Sequence, residues 1–165
     1  MRISDDDFHP ITLEDKRIFD EIYEKYPISH SENTFGTLYC WRHYGNYEIS
    51  VIEGCLIIRG YTDAYTSIRA PIGPKNREVL DAVIDLALST GEQAPFLVLE
   101  PWQYEWISSV RPDLPFLPDQ DFFDYVYATS DLASLEGRQY LMIRKQLNRF
   151  RKECPSTVEP VTDEN

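Results

Sequence analysis

Apolar positions along the chain change period several times, and each change marks an element. Over residues 12–25, TLEDKRIFDEIYEK, the positions Leu13, Ile18, Phe19, Ile22 and Tyr23 recur at roughly helical spacing. Thr12 and Asp15 stand at capping-box spacing, and Pro27 stops this first helix. Ser31 or Asn33 is placed to cap a short helix running through Tyr44, ended by Gly45 and Asn46. From Tyr47 to Ile52 the pattern alternates, as in a half-buried strand. Glu53 and Gly54 then form a hairpin turn, Cys55 to Tyr61 returns, and Thr66 to Arg69 reads as a third strand.

Helical period resumes from Asn76 to Ser89. Val79, Leu80, Val83, Ile84, Leu86, Ala87 and Leu88 supply its buried side, and Gly91 closes it. The run Ala94 to Leu99 is apolar without a break, which predicts a fully buried strand. Pro101 opens a short helix, and 111–120, with three prolines, is a loop. A strand is expected around Phe123 to Tyr127, then a helical turn, a last helix over 137–152, and a strand over Thr157 to Val161. Thr162 would cap a further helix, with Asp163 and Glu164 in its first turn. Helices and mostly antiparallel strands in this order make a mixed α/β or α+β domain.

The last helix changes the picture most. GRQYLMIRKQLNRFRK carries Arg138, Arg144, Lys145, Arg149, Arg151 and Lys152 and no acid. The whole chain has a net charge of −12; outside this stretch ten basic residues face 28 acidic ones, a balance of −18. On a helical wheel Tyr140, Ile143, Leu147 and Phe150 form one stripe, expected to pack on the domain. Arg138, Lys145, Arg149 and Lys152 form a ridge nearly opposite, with Arg144 and Arg151 flanking the stripe. This is either a solvated outer face or a ridge for phosphates, of a tRNA backbone or of an anionic lipid headgroup. The acidic remainder argues against nucleic-acid binding through the whole surface.

Other features narrow the classes. At 165 residues one domain is the default. Three cysteines without a CxxC pair argue against a disulfide framework or zinc, and no metal site is expected. Cys40, Cys55 and Trp41 read as core, with Arg42 as a structural partner. No apolar run is long enough to span a membrane and the N-terminus is acidic, so the expected location is cytoplasmic, at most membrane-peripheral. His9, His30 and His43 are isolated and read as caps or surface residues. Glu100 is the one carboxylate placed like an active-site residue, at the end of an expected strand. There is no P-loop, GxSxG or HExxH, and no glycine-rich pyrophosphate loop of the acetyl-CoA kind, so acetyl-CoA is not an expected cofactor.

Three segments carry a family resemblance. Residues 31–60 hold a Ser-x-x-x-Phe-x-x-Leu-x-x-Trp-Arg block, with Phe35, Trp41 and Arg42, followed by a hairpin. Residues 70–74 hold a Pro-x-Gly turn, Pro71 and Gly73. Residues 123–150 hold Asp124, Tyr125, Gly137, Asn148 and Phe150 in an Asp-Tyr-x-Tyr, Leu-x-Gly and Arg-x-x-x-Asn-Arg-Phe order. The chain resembles the DUF2156 family, whose best-known relatives are the catalytic domains of phosphatidylglycerol lysyltransferases. The resemblance implies a GNAT-like fold (acyl-CoA N-acyltransferase superfamily), two such units in tandem over roughly 300 residues, and aminoacyl-tRNA as donor substrate. It sets residues 1–136 as a first GNAT-like unit, 137–153 as a basic linker helix and 154–165 as the start of a second unit. The resulting expectation is an aminoacyltransferase module, inactive until completed by a second unit or by a homodimer. The alternatives are a non-catalytic binding module and, behind it, an acyl-CoA-dependent N-acetyltransferase.

Overall fold

The computed structural model describes residues 1–63, 66–90, 96, 98–118 and 120–162. They divide into two compact units, Met1–Asp124 and Tyr125–Asn165.

The first unit is organised by strand β3 (Cys55–Tyr61), which pairs antiparallel with β2 (Glu48–Ile52) on one side and β4 (Thr66–Ile68) on the other. The β2–β3 turn works because Glu53 and Gly54 both take positive φ, 50° and 73°, the twist a two-residue hairpin needs. A two-residue strand that the sequence pattern did not reveal, β1 (His9–Pro10), pairs with β2 and completes the order β1-β2-β3-β4. β3 is buried on both faces, so its period-2 alternation feeds two cores. Cys55 and Ile57 pack with Val79 and Val83 of α4 (Arg77–Ser89). Leu56 and Ile58 pack with Phe19 of α1 (Lys16–Lys25) and Leu38 of α2 (Phe35–Cys40). A third cluster joins Leu80 and Ile84 of α4 to Trp106 and Ile107 of α5 (Pro101–Val110). The result is the expected mixed α/β fold with an antiparallel sheet flanked by helices.

Local chemistry sets the helix starts. The Thr12 N–H and hydroxyl both donate to Asp15 Oδ2, at 2.8 and 2.9 Å, as the capping-box spacing predicts. Leu13 lies in the 3-10 turn ahead of α1, before the helical phase begins, and is exposed rather than part of the buried face. Asn76 Oδ1 caps α4, accepting from Glu78 and Val79 N–H. On α4, Leu88 falls about 140° from Val83 and stays half exposed; Gly91 lies outside the described residues.

Several expectations are corrected. The cap of α2 is Thr34, whose Oγ1 accepts from Thr37 N–H. Ser31 and Asn33 form a separate 3-10 turn because their side chains are bonded elsewhere. The expected single helix through Tyr44 breaks at Trp41 into α2 and α3 (Arg42–Gly45), and left-handed Asn46 ends it. At that break Trp41 is 59% exposed and meets Tyr44 edge to face at 6.2 Å; Cys40 is also exposed, and only Cys55 is the buried cysteine expected. Of the strand expected over 94–99, residues 94, 95 and 97 lie outside the described residues, and Phe96, Val98 and Leu99 belong to no strand.

In the second unit α6 (Thr129–Ser134) and α7 (Leu141–Glu153) form as expected. Residues 123–127 and 157–161 form no strand, and Tyr125, Val126, Val158 and Val161 are almost fully exposed. The stripe of α7 is not packed away either. Tyr140, at its N-cap, is buried, but no residue of α7 itself is. Among the described residues no helix is long and apolar enough to cross a membrane.

Gly73 marks a tight spot in the first unit. A Cβ there would sit 2.7 Å from the Gly54 carbonyl oxygen and 2.8 Å from Cys55 Cα, both backbone atoms of the hairpin. Gly73→Ala is expected to lower the unfolding free energy by about 2–4 kcal/mol in urea titration. Gly36→Ala, in open space on α2, is expected to be neutral or to stabilise by up to about 1 kcal/mol.

Candidate functional site

The site is built where α5 begins. Glu100 is the N-cap, extended at φ −68° and ψ 149°, and Pro101 fills the first helical position, where a missing N–H costs nothing. Gln103 Oε1 accepts the Glu100 N–H at 2.9 Å, closing the cap from the helix side. The Glu100 carboxylate is thereby turned away from its own helix toward the loop 29–33.

There it meets four donors. Oε2 accepts from Ser29 N–H (2.9 Å) and the Ser29 hydroxyl (2.7 Å), and Oε1 from His30 N–H and Asn33 Nδ2, both at 3.1 Å. Glu100 is 1% exposed. Burial pushes its carboxyl up, but the bonds from Ser29, His30 and Asn33 outweigh burial and hold it below the ordinary glutamate value. A carboxylate offers about four acceptor sites, and here all are used.

The network extends on both sides. Gln103 Nε2 donates to the Ala70 and Pro71 carbonyls at 3.1 and 3.0 Å, tying α5 to the Pro-x-Gly turn. The Tyr23 hydroxyl donates to the Asn33 carbonyl at 2.6 Å; its phenol is pushed up by burial and by the Glu100 charge, against the opposing pull of Arg69. Arg69 is buried, with its guanidinium 3.8 Å from the Glu32 carboxylate. Asp124 accepts from Ser31 N–H and the Ser31 hydroxyl, both at 2.8 Å, and lies 3.7 Å from His30 Nδ1. Those Ser31 bonds hold the Asp124 carboxyl below its ordinary value. Two carboxylates from distant parts of the chain thus take the N–H groups of three consecutive residues, Ser29, His30 and Ser31.

The family-motif residues fall into distinct places. Pro71, Gly73 and Asp124 join this network or its supporting turn. Phe35 packs edge to face on Phe19 (5.1 Å) and stacks on Tyr39 (5.5 Å). Arg42 lies 4.0 Å over the Tyr39 ring and donates to the Tyr39 carbonyl, the structural partnership expected of it. Tyr125, Asn148 and Phe150 are exposed in the second unit. Gly137 takes a φ of 87°, and its carbonyl accepts from Arg144 Nη1 at 2.8 Å; Arg144 also donates to the Leu135 carbonyl at the end of α6. Arg149 pairs with Glu153 at 2.9 Å, while Arg138, Lys145 and Lys152 stand exposed. Among the described residues no three metal-ligating side chains cluster. Pattern reading alone missed Tyr23, Ser29, Asn33, Arg69 and Gln103. One signal was available: Glu100 and Gln103 stand at capping-box spacing, which marks a helix start rather than a strand end.

Glu100→Gln tests the network. At neutral pH it is expected to cost about 2–3 kcal/mol, because the amide faces a donor with a donor. The folded carboxyl lies below its unfolded value, near 4.5, so its contribution is complete above that value and is lost as pH falls through the folded one. The gap between variant and wild type in urea titrations therefore narrows in acid, and a gap that widens would contradict the assignment.

Comparison with known proteins fits this arrangement. A solved structure, a conserved protein of unknown function from Bacteroides thetaiotaomicron VPI-5482, superposes with a TM-score of 0.69 at 27% identity. The match covers 88% of this chain and 50% of that one, so the chain spans half the length of its solved relative. No curated protein matches. The family model for the phosphatidylglycerol lysyltransferase C-terminal domain matches residues 23–165, a span that holds the Glu100 network and α7 together. The chain belongs to the phosphatidylglycerol lysyltransferase C-terminal family.

Proposed function

We propose that this chain is a GNAT-like module of an aminoacyl-tRNA-dependent acyltransferase, working only together with a second unit. The observation that carries this reading is the family match over residues 23–165. In the complete protein an amine or hydroxyl of the acceptor attacks the aminoacyl ester carbonyl, and the tRNA ribose hydroxyl leaves with the proton. The module's part is orientation and electrostatics. The solved relative is twice as long as the span matched here, which supports assigning the remaining chemistry to another half. The basic residues Arg138, Lys145, Arg149 and Lys152 contact anionic phosphate, of tRNA or of a lipid headgroup. Arg144 supports them by fixing the α6–α7 turn.

A second reading, a binding module of the same fold without catalysis, is favoured by the state of Glu100. Its lone pairs are filled by four donors, so it is an anchor and a poor general base.

Transfer assays with charged tRNA and either phosphatidylglycerol or a small amine separate the readings. The chain alone is expected to give no product, and a longer protein that also carries the other half to give product. Product from the chain alone would overturn the half-enzyme reading, and no product from the longer protein would favour the binding module. Acetyl-CoA binding seen by calorimetry would instead support an acyl-CoA route.

A further inference from the structure

One histidine caps a turn with its ring. His30 stands ahead of the 3-10 turn Ser31–Asn33, extended at φ −81° and ψ 129°, and its Nδ1 accepts the Glu32 N–H at 3.2 Å. The usual caps, Ser, Thr, Asp and Asn, accept through an oxygen whose lone pairs stay available near neutral pH. An imidazole nitrogen accepts only while it carries no proton. The cap therefore fixes the neutral ring as the tautomer with its proton on Nε2. Once both nitrogens are protonated, Nδ1–H and the Glu32 N–H are two donors face to face, and the cap is lost.

The same nitrogen has a second neighbour. Asp124 Oδ2 lies 3.7 Å from Nδ1, about 1 Å beyond a charge-assisted hydrogen bond. Among the described residues Asp124 accepts two bonds, from the Ser31 N–H and hydroxyl, of the roughly four a carboxylate can take. Those bonds hold its carboxyl below the ordinary value, so it is ionised across pH 5–8, where histidines gain their proton. Other charges stand on the elements around the ring. Glu100, at the start of α5, accepts the His30 N–H at 3.1 Å. Glu32, in the turn itself, has its carboxylate 3.8 Å from the Arg69 guanidinium. Asp121 lies three residues before Asp124 on the same segment. Carboxylates outnumber the one cation, so an imidazolium here meets anionic surroundings. The His30 side chain keeps 18% of its surface exposed, which gives solvent protons access.

We propose that His30 is a pH-sensitive switch in the loop 29–33. Near neutrality the ring is an acceptor and caps the turn through the Glu32 N–H. In mild acid Nδ1 takes one proton from solvent, the Glu32 N–H loses its acceptor, and Nδ1–H donates to Asp124 Oδ2. The gap to be closed is about 1 Å, within reach of a side-chain rotation. Asp124 is the last residue of the first unit. Below neutrality the end of that unit gains a third, charged donor, while the turn 31–33 is loosened. The bonds from Ser29, His30 N–H and Asn33 to Glu100 do not involve the ring, so the anchor is kept in both states. This switch goes beyond the function proposed above and does not rest on it.

NMR of the full chain tests it. The nitrogen-15 spectrum of the histidine rings is expected to show His30 at pH 8 as the Nε2–H tautomer; an Nδ1–H ring there would overturn the proposal. Asparagine caps through an oxygen that takes up no proton, so His30→Asn locks the cap. Between pH 8 and pH 5 the hydrogen-exchange protection factor of the Glu32 amide is expected to fall about fivefold in the wild type and to hold in H30N. Constant protection in the wild type, or the same loss in H30N, would sink the switch. Asp124→Asn keeps an oxygen for Ser31 and removes the charge. The pH at which His30 titrates is expected to move down in D124N, and an unchanged midpoint would contradict the exchange toward Asp124. The tautomer and the wild-type amide need no substitution, so they decide the matter if a variant unfolds.

Discussion

A buried carboxylate must be matched by donors, and the first unit is arranged around one that is. Removing Glu100 from water is expensive, and four hydrogen bonds from Ser29, His30 and Asn33 offset that cost. The consequence is mechanical. The loop 29–33 is held to the start of α5, and α5 is held through Gln103 to the Pro71 turn. That turn is pressed against the β2–β3 hairpin at Gly73, with no room for a side chain. Asp124 holds the same loop from the other side, at the last residue of the unit. One charge therefore links parts of the chain some 70 residues apart.

What could be read from the sequence follows the range of the forces involved. The hairpin at Glu53–Gly54, the Thr12–Asp15 cap and α4 rest on neighbours within a few residues, and all were legible. Residues 123–127 have the aromatic and β-branched residues of a strand, yet a strand exists only if another lends it hydrogen bonds, and that information is not local. Trp41 read as core on composition, but the helix breaks beneath it and leaves it outside. Glu100 was singled out for a reason that did not hold: it caps a helix and does not end a strand. Its position was informative, while its partners, Ser29 and Asn33, lay beyond any spacing rule. The Pro-x-Gly turn entered through family resemblance, and the contact at Gly73 supplies its physical reason.

The two units have opposite characters. Met1–Asp124 has three apolar clusters and a buried carboxylate held by four donors. Among its described residues, Tyr125–Asn165 has helices but almost no core, and Ile143, Leu147, Phe150, Lys145 and Lys152 are exposed. The family match over residues 23–165 reaches into both units, and the structural match covers half of the solved relative. In the proposed account the first unit is a rigid scaffold and the second is a surface made to be covered.

The account depends on Glu100 being an ionised anchor and not a proton-transfer group. Carbon-13 NMR titration of its side-chain carboxyl in the folded protein reads this directly. The predicted result is a pKa below the ordinary glutamate value of 4.5, with the shift lost when Ser29 and Asn33 are replaced by alanine. A pKa above that value would show that burial outweighs the donors, and would return Glu100 to the list of catalytic acids and bases.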